Sequence, residues 1–205
     1  MTDTVIIDAG PALNFSATNN ERLLLSVLSP LTAPETVADE VARKGKSARF
    51  KAAPGVWKKL VQAKRLTVLS DDSTPDLEAA SERIATMPLG DRKKDSRDLG
   101  ETLVVIHAAV LADVGGHDVV ILIDDQGGAE LAAREIRRIE RRRAAGHPTG
   151  TIRLVNTPLV LDTAIRRGLI ASKQDLRKIY TELRACDDGL IDIGQTSLLS
   201  RPPWP

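Results

Sequence analysis

Apolar residues fall along the chain in short runs of strand length and in longer segments with helical spacing. The short runs predict strands over residues 4–7, 31–33, 66–69, 118–123 and 151–155. The longer segments predict helices over residues 20–28, 56–63, 76–87, 129–145, 158–167 and 172–186, and one more that starts just after Pro34. Strands that alternate with helices imply right-handed crossovers. The pattern therefore predicts a three-layer α/β/α fold around a central parallel sheet.

Two segments between these elements are expected to be irregular. Ala9-Gly10-Pro11 directly follows the first strand and should form a turn, because a strand does not continue through this sequence. Residues 88–97 are mostly polar and should form a loop that leads into the next helix.

The segment 98–128 begins and ends with polar residues and is almost wholly apolar between them. Over residues 101–112 the apolar side chains occupy every side of a helical period, so this helix should be buried all round. Gly115 and Gly116 then end the helix. Residues 118–123 show no alternation of apolar and polar side chains, which is typical of a central parallel strand covered on both faces.

Length and composition indicate one domain. The chain has 205 residues, enough for a good core, and no Pro-, Gly- or Ser-rich linker divides it. Residues 194–205 contain three prolines and are expected to form a loosely held tail. The formal net charge of +1 arises from 29 basic and 28 acidic residues, so any preference for nucleic acid must come from how the charges are arranged.

Cysteine usage and the first residues favour a reducing compartment. Cys186 is the one cysteine, which excludes an internal disulfide and a thiolate metal cluster. Residues 1–8 lack the basic start of an export signal, and no apolar run approaches the roughly 18 residues that span a bilayer. The sequence therefore predicts a cytoplasmic protein without membrane contact.

Six acidic residues fall mostly at the ends of predicted strands or in helices that follow strands. They are Asp8, Glu40, Asp98, Glu101, Asp124 and Asp125. A parallel sheet collects such positions at the carboxyl ends of its strands, where ligands bind. Clustered carboxylates cannot all stay ionised unless protons or a cation neutralise them. Oxygen ligands favour a hard divalent ion, Mg²⁺ or Mn²⁺, which can activate a water and neutralise charge on a phosphodiester.

Each acid also has a simpler explanation. Asp98 and Glu101 have the spacing of a capping box, and taken alone this pair favours a helix cap over a metal site. Asp8 and the pair at 124–125 could be ordinary residues of turns that end strands. Glu40 could simply be exposed on its helix. The metal-site hypothesis gains support because the four acidic segments are all expected at the same edge of the sheet.

Taken together, the acidic segments resemble the four successive motifs of PIN-domain ribonucleases, and in particular the VapC-like toxins of bacterial toxin-antitoxin pairs. The resemblance runs in order from about residue 4 to residue 185 and includes residues 161–170, which are similar to the family's late helix and the turn that follows it. The motifs are Val5-Ile-Ile-Asp8-Ala-Gly-Pro, Pro34 followed by Glu40, Asp98-Leu-Gly-Glu101, and Ile121-Leu-Ile-Asp-Asp125.

The resemblance implies a metal-dependent endonuclease that cuts RNA with a metal-activated water, usually as a homodimer restrained by a small antitoxin protein. It also implies roles for individual residues, with Asp98 as a supporting acid. The implied metal or water ligands are Asp8, Glu40 and Glu101. The family's threonine-x-aspartate pattern places Asp125 in the fourth ligand position and Asp124 beside it.

The predicted helix at 129–145 carries arginines at the i, i+3, i+4, i+7 and i+8 positions of one face. They are Arg134, Arg137, Arg138, Arg141 and Arg142. Charged helical faces are usually only solvated, but arginine suits phosphate and this helix starts directly after the acidic segment. The stripe is therefore a candidate for RNA contact, with antitoxin docking as the main competing explanation.

Other functions have weaker support. An aspartate-based phosphotransferase of the haloacid-dehalogenase kind needs a second aspartate where Gly10 stands, and a phosphoreceiver domain needs paired acids at the first strand. A PIN-like scaffold that binds RNA or a protein without cutting remains an alternative. The three histidines fit no zinc motif and are expected to be packing or surface residues. Gly127-Gly128 lacks the Lys-Ser/Thr partner of a P-loop.

Overall fold

A computed structural model describes residues 3–187, 189–200 and 204 of the chain. The strands are β1 (Thr4–Ile7), β2 (Leu31–Pro34), β3 (Leu66–Leu69), β4 (Val119–Leu122) and β5 (Ile152–Val155). The helices are α1 (Ala9–Ala17), α2 (Glu21–Val27), α3 (Glu35–Lys44), α4 (Ala53–Gln62), α5 (Pro75–Ile84), α6 (Leu89–Arg92), α7 (Leu99–Asp113), α8 (Gln126–Ala144), α9 (Thr157–Arg166) and α10 (Lys173–Cys186). Short 3₁₀ helices occur at Ala48–Phe50 and Ile193–Gln195.

The five strands form one parallel sheet in the order β3-β2-β1-β4-β5. The α/β fold with a central parallel sheet and helices around it is therefore confirmed. From β1 the chain moves outward to β3, then returns to place β4 on the other side of β1. The direction of winding thus reverses between β1 and β4. Such a reversal opens a crevice at the carboxyl ends of the two strands.

Helices cover both faces of the sheet. On one face α7 packs against β1, β2, β4 and β5 and is flanked by α5 and α8. On the other face α1 packs against α4 and α10, and α2 packs against α9. The prediction that α7 is buried all round is confirmed, because its residues from Leu103 to Ala109 are all buried. This buried helix holds its first turn, with Glu101, beside the crevice.

The first connection differs from the sequence prediction. Ala9-Gly10-Pro11 was expected to be a turn, but α1 begins at Ala9. Asp8 caps this helix, since its Oδ2 accepts a hydrogen bond from the backbone N–H of Gly10 at 3.1 Å. Pro11 lies in the first helical turn, where no backbone N–H is needed for the helix ladder. The expected loop at 88–97 likewise contains the short helix α6.

The end of the chain packs on the body where it is described. Leu198 is buried, and the indole N–H of Trp204 donates a hydrogen bond to the Leu198 carbonyl at 2.6 Å. Of the tail that was expected to be loose, residues 201–203 and 205 lie outside the described residues. Within the described ranges, no helix combines the length and the apolar character that crossing a membrane requires.

Candidate active site

An open cavity of about 590 Å³ lies at the carboxyl ends of β1 and β4, in the crevice where the direction of winding reverses. Carboxyl groups dominate its lining. Five of the six acids singled out in the sequence line it, and Asp98 does not. A sixth lining acid, Asp187, comes from the end of α10. The carboxyl groups of the cavity are those of Asp8, Glu40, Glu101, Asp124, Asp125 and Asp187.

Asp8 is the most buried of these acids, with 3% of its surface exposed. Its Oδ1 atom is buried and has no hydrogen-bond partner in the part of the chain that the structure describes. Burial, followed by the negative charge of Glu101, raises the pKa of Asp8 to about 7, although the N–H groups of Gly10 and Ala9 act in the opposite direction. A proton or a cation at Oδ1 would stabilise a carboxyl group that is buried in this way.

Glu40 reaches the same place from the middle of α3. A Cβ atom on Gly100 would stand 3.0 Å from Asp8 Oδ1 and 3.1 Å from Glu40 Oε2. The missing side chain of this glycine therefore leaves room for two carboxylate oxygens from different elements. Lys44, one helical turn after Glu40, places its Nζ 2.5 Å from Glu40 Oε1 and also lines the cavity.

Glu101 lies in the first turn of α7. Burial is the largest cause that raises the pKa of its carboxyl group, and the charges of Glu40, Asp125 and Asp98 raise it further against a hydrogen bond from its own N–H. The start of α8 packs closely here, since a Cβ on Gly128 would stand 2.9 Å from Glu101 Cβ. A glycine at 128 thus allows α8 to begin directly beside this carboxylate.

Asp98 does not cap α7 as its spacing suggested. Its backbone is left-handed, with φ of 50°, and its side chain makes no capping hydrogen bond. Instead the Asp98 carbonyl accepts a hydrogen bond from the Thr102 hydroxyl at 2.6 Å, and Arg92 donates to that same hydroxyl at 2.9 Å. The capping-box prediction was wrong, because an N-cap residue that bonds the helix start typically has an extended backbone and that of Asp98 is left-handed.

The two adjacent acids after β4 have different surroundings. Asp124 accepts hydrogen bonds from the N–H of Thr157 at 2.7 Å and from its hydroxyl at 2.6 Å, and so fixes the start of α9. Asp125 caps α8, since its Oδ1 accepts from the Gly128 N–H at 2.9 Å. The charge of Asp125 raises the pKa of Glu101. Asp125 is therefore electrostatically coupled to the acidic cluster around Glu101.

Asp187 was not singled out in the sequence, because no motif surrounds it. Its Oδ2 accepts a hydrogen bond from Asn14 Nδ2 at 2.8 Å, which ties the end of α10 to α1. Burial raises the pKa of Asp124, and the charge of Asp187 adds to this effect. In the sequence, Asp187 is marked only by its position directly after the last long helix. That position does not predict a site residue, because only the fold brings the end of α10 to the cavity.

The residues of the cavity suit a hard cation in their chemistry. Their donor atoms are carboxylate oxygens, the buried Oδ1 of Asp8 lacks a partner in the described chain, and Gly100 leaves space beside it. As the side chains stand, no group of three or more His, Cys, Asp or Glu residues among those described is arranged to hold a metal ion. Repulsion among uncompensated carboxylates favours such separation, and a bound cation would remove it.

The arginines of α8 do not form one free face. Arg138 donates to Asp113 at 2.7 Å and to Glu135 at 2.8 Å, and Arg142 donates to Asp113 at 2.8 Å. The sequence pattern could not show Asp113, because it lies at the end of α7. The exposed arginines of the stripe are Arg134, Arg137 and Arg141. Arg138 follows Asp125 by 13 residues, which places it about 20 Å along the helix from the cavity.

His107 is a packing residue, as expected. It is buried in α7, and its Nε2 lies 2.8 Å from Asp71 Oδ1. The other oxygen of Asp71 accepts from the N–H and the hydroxyl of Thr36. Burial would raise the pKa of Asp71, but the hydrogen bonds from His107 and Thr36 outweigh it and lower that pKa. This network fixes the start of α3, the helix that carries Glu40.

A scan against protein-family models, a search of curated proteins and a search of solved structures each found no match to this chain. The resemblance to PIN-domain ribonucleases therefore rests on the four sequence motifs. The chemistry of the cavity is the independent basis for assigning a function.

Proposed function

We propose that this protein is a Mg²⁺- or Mn²⁺-dependent endoribonuclease, with its active site in the acidic cavity between β1 and β4. The observation that carries the proposal is the state of Asp8. Its carboxyl group is buried, has a pKa of about 7, and leaves Oδ1 without a hydrogen-bond partner among the described residues. A protein keeps such a group at an open cavity chiefly for a function, because its burial costs stability.

A cation is the simplest partner for this group. Asp8 and Glu101 both have raised pKa values, and each raises the other's free energy when both are charged. A divalent ion would favour the ionised form of both carboxylates. The residues that would hold it are Asp8, Glu40, Glu101 and Asp125, with Asp98 and Asp124 as supporting acids.

When bound, the ion would supply a polarised water and would neutralise charge on a phosphodiester. The chain's own residues orient the site. Gly100 keeps the space between Asp8 and Glu40 open, and Asp124 holds the start of α9 at the rim through Thr157. The opening of the cavity to solvent allows a polymeric substrate to enter from outside.

RNA as the substrate is supported by the resemblance of the four motifs. The same resemblance supports a homodimer, a small antitoxin protein as partner, and a role as the toxin of a type II toxin-antitoxin system in the cytoplasm. These finer assignments can be tested by expressing the protein in bacteria. We expect growth arrest with the wild-type chain and normal growth with Asp8→Asn, and equal growth with both would contradict the toxin assignment.

Incubation of the purified protein with single-stranded RNA tests the enzymatic proposal. We expect cleavage with Mg²⁺ or Mn²⁺, none with EDTA, and none with Asp8→Asn. The matched control is Asp72→Asn, because Asp72 is an exposed aspartate outside the cavity. Cleavage that survives both EDTA and Asp8→Asn would exclude the proposed mechanism. Metal and RNA binding without cleavage would instead identify a binding module.

A further inference from the structure

Lys44 is the one cationic residue that lines the acidic cavity, as far as the described residues show. It lies in the last turn of α3, one turn after Glu40, and its Nζ is 2.5 Å from Glu40 Oε1. The lysine side chain is 43% exposed and the glutamate side chain 21% exposed. The ammonium group therefore sits at the mouth of the cavity, between solvent and the carboxylates.

Stability alone gives little reason for this pair. An exposed ion pair between residues i and i+4 of a helix contributes little to the stability of the folded protein. The position of Lys44 matters more, because it brings one positive charge to a cavity lined by six carboxyl groups. It offsets part of their repulsion while no metal ion is present.

Glu40 holds Lys44 through Oε1 and faces Asp8 through Oε2, so a divalent ion at Oε2 would compete with the ammonium group for the charge of one carboxylate and would repel it. An ion shared by Glu40 and Asp8 would draw charge away from the ammonium group and weaken its hold on the lysine. The four-carbon side chain of lysine is flexible, so the released ammonium group can turn towards a ligand at the mouth of the cavity. A phosphate entering there would meet it as the nearest cation of the lining.

Building on the proposed function, we propose that Lys44 is a substrate-binding residue that exchanges partners. Without metal it neutralises Glu40, and with metal it binds a backbone phosphate of the RNA at the cavity. In the metal-free protein the lysine thus acts as an internal competitor of the divalent ion. Substrate binding at this position then depends on prior loading of the metal.

The surroundings of Lys44 agree with this role. The chain continues from it into a basic segment in which Lys46 and Lys51 are exposed. The 3₁₀ helix Ala48–Phe50 of this segment packs against α1, the helix that Asp8 caps. In contrast, Arg138 of α8 is tied to Asp113 and lies far along its helix. A backbone phosphate at the site therefore meets Lys44 before it meets any arginine of that helix.

The proposal predicts opposite effects of one substitution. In Lys44→Met, Mn²⁺ should bind about two- to fivefold more tightly, because a competing ammonium group is gone. With metal present, single-stranded RNA should bind about tenfold more weakly. The slope of log affinity against log salt should flatten by about 0.7, the value for one lost phosphate contact on a single strand. A merely structural lysine would not move the two affinities in opposite directions.

Isothermal titration of the metal-free protein with Mn²⁺ measures the first effect. Fluorescence anisotropy of a labelled single-stranded RNA in saturating Ca²⁺ measures the second, with the integrity of the RNA checked on a gel. The matched control is Lys46→Met, which removes an exposed lysine outside the cavity lining and should leave Mn²⁺ affinity unchanged. Lys44→Arg keeps the charge and should restore most of the RNA affinity.

Tighter Mn²⁺ binding together with weaker RNA binding in Lys44→Met supports the exchange. Unchanged or weaker Mn²⁺ binding, or unchanged RNA binding, overturns it. Lys44→Gln gives an independent second variant and should behave as Lys44→Met does. If the wild-type protein binds metal and RNA but never cleaves, the nuclease proposal fails while both measured effects of Lys44 still stand. The two failures are therefore distinguishable.

Discussion

Asp8 Oδ1 and Glu40 Oε2 lie against the same glycine, at 3.0 and 3.1 Å from the point where a Cβ on Gly100 would stand. The two acids come from the end of β1 and from α3, so their proximity is a product of the fold. Gly100 itself lies in the first turn of α7, where alanine would favour the helix. A glycine here keeps the carboxylate oxygens accessible to a shared ligand.

Gly100→Ala should weaken divalent-metal binding by about tenfold or more, because the new methyl group would press on both oxygens and force the carboxylates apart. Titration calorimetry with Mn²⁺ measures the effect, and circular dichroism checks the helix content. Gly55→Ala in α4 is the matched control, since a Cβ there meets nothing within 4 Å. Equal Mn²⁺ affinity in the wild-type protein and Gly100→Ala would contradict a site between Asp8 and Glu40.

The pKa of Asp8 predicts how stability depends on pH. Its folded pKa is about 7, above the ordinary value of 3.8, so the folded state favours the neutral carboxyl group. This contribution is fully present below pH 3.8 and is lost as pH rises through about 7. Asp8→Asn stays neutral throughout. It should therefore match the wild type near pH 4 and be more stable at pH 8 by up to about 4 kcal/mol in EDTA.

Urea unfolding of the wild type and Asp8→Asn at a series of pH values gives this difference. At pH 8, Mg²⁺ should restore stability to the wild type and should do less for Asp8→Asn, since a ligand that binds only the folded state stabilises it. A difference between the two proteins that does not change with pH would show that the pKa of Asp8 is the same in the folded and the unfolded protein, and would contradict the raised pKa.

Substitution of Arg138 should lower the free energy of unfolding more than substitution of its neighbour Arg137. Arg138 bridges Asp113 of α7 and Glu135 of α8, and its side chain is 20% exposed. Arg138→Met should lower the free energy of unfolding by about 1–2 kcal/mol, because it leaves two carboxylates with fewer partners. Arg137 is exposed, and Arg137→Met should change stability by less than about 0.5 kcal/mol. Urea unfolding measures both free energies. Equal losses of stability in Arg138→Met and Arg137→Met would contradict a stabilising role of the ion pairs of Arg138 with Asp113 and Glu135.

The exposed arginines of α8 provide a separate test of RNA contact. In a triple variant, neutral residues replace Arg134, Arg137 and Arg141, which are exposed on the surface. If this face binds RNA, affinity should fall and the salt dependence of binding should flatten by about 0.7 for each lost phosphate contact. Anisotropy titrations at several salt concentrations measure the slope. An unchanged slope would assign this face to another role, such as docking of a protein partner.

Much of the fold could be predicted from the sequence, because its strands are short apolar runs that alternate with helical segments. The run at 118–123 is apolar without alternation, and the observed strand Val119–Leu122 is buried throughout. The first connection could not be predicted, because Gly and Pro after a strand indicate a turn unless an acid caps a helix there. Asp8 is that acid, and its dual role as cap and site residue is visible only in three dimensions.

The candidate site could be predicted in part, because the positions of several acids relative to strands and helices are visible in the sequence. Acids that follow strands or begin helices were visible, since a parallel sheet brings those positions to one edge. Asp187 and Lys44 were not singled out, because their places depend on how α10 and α3 pack over that edge. The pairing of Arg138 with Asp113 was hidden for the same reason, as it joins two helices that only the fold brings together.

Crystals soaked with Mn²⁺ give the most direct test of whether the acidic cavity holds a metal ion. Anomalous diffraction at the manganese edge would locate the ion without reference to any assay of activity. We predict an anomalous peak about 2.0–2.2 Å from Asp8 Oδ1, with oxygens of Glu40 or Glu101 as further ligands, and its loss in Asp8→Asn. A fully soaked crystal with no peak in this cavity, or with the same peak in Asp8→Asn, would contradict the metal-dependent mechanism.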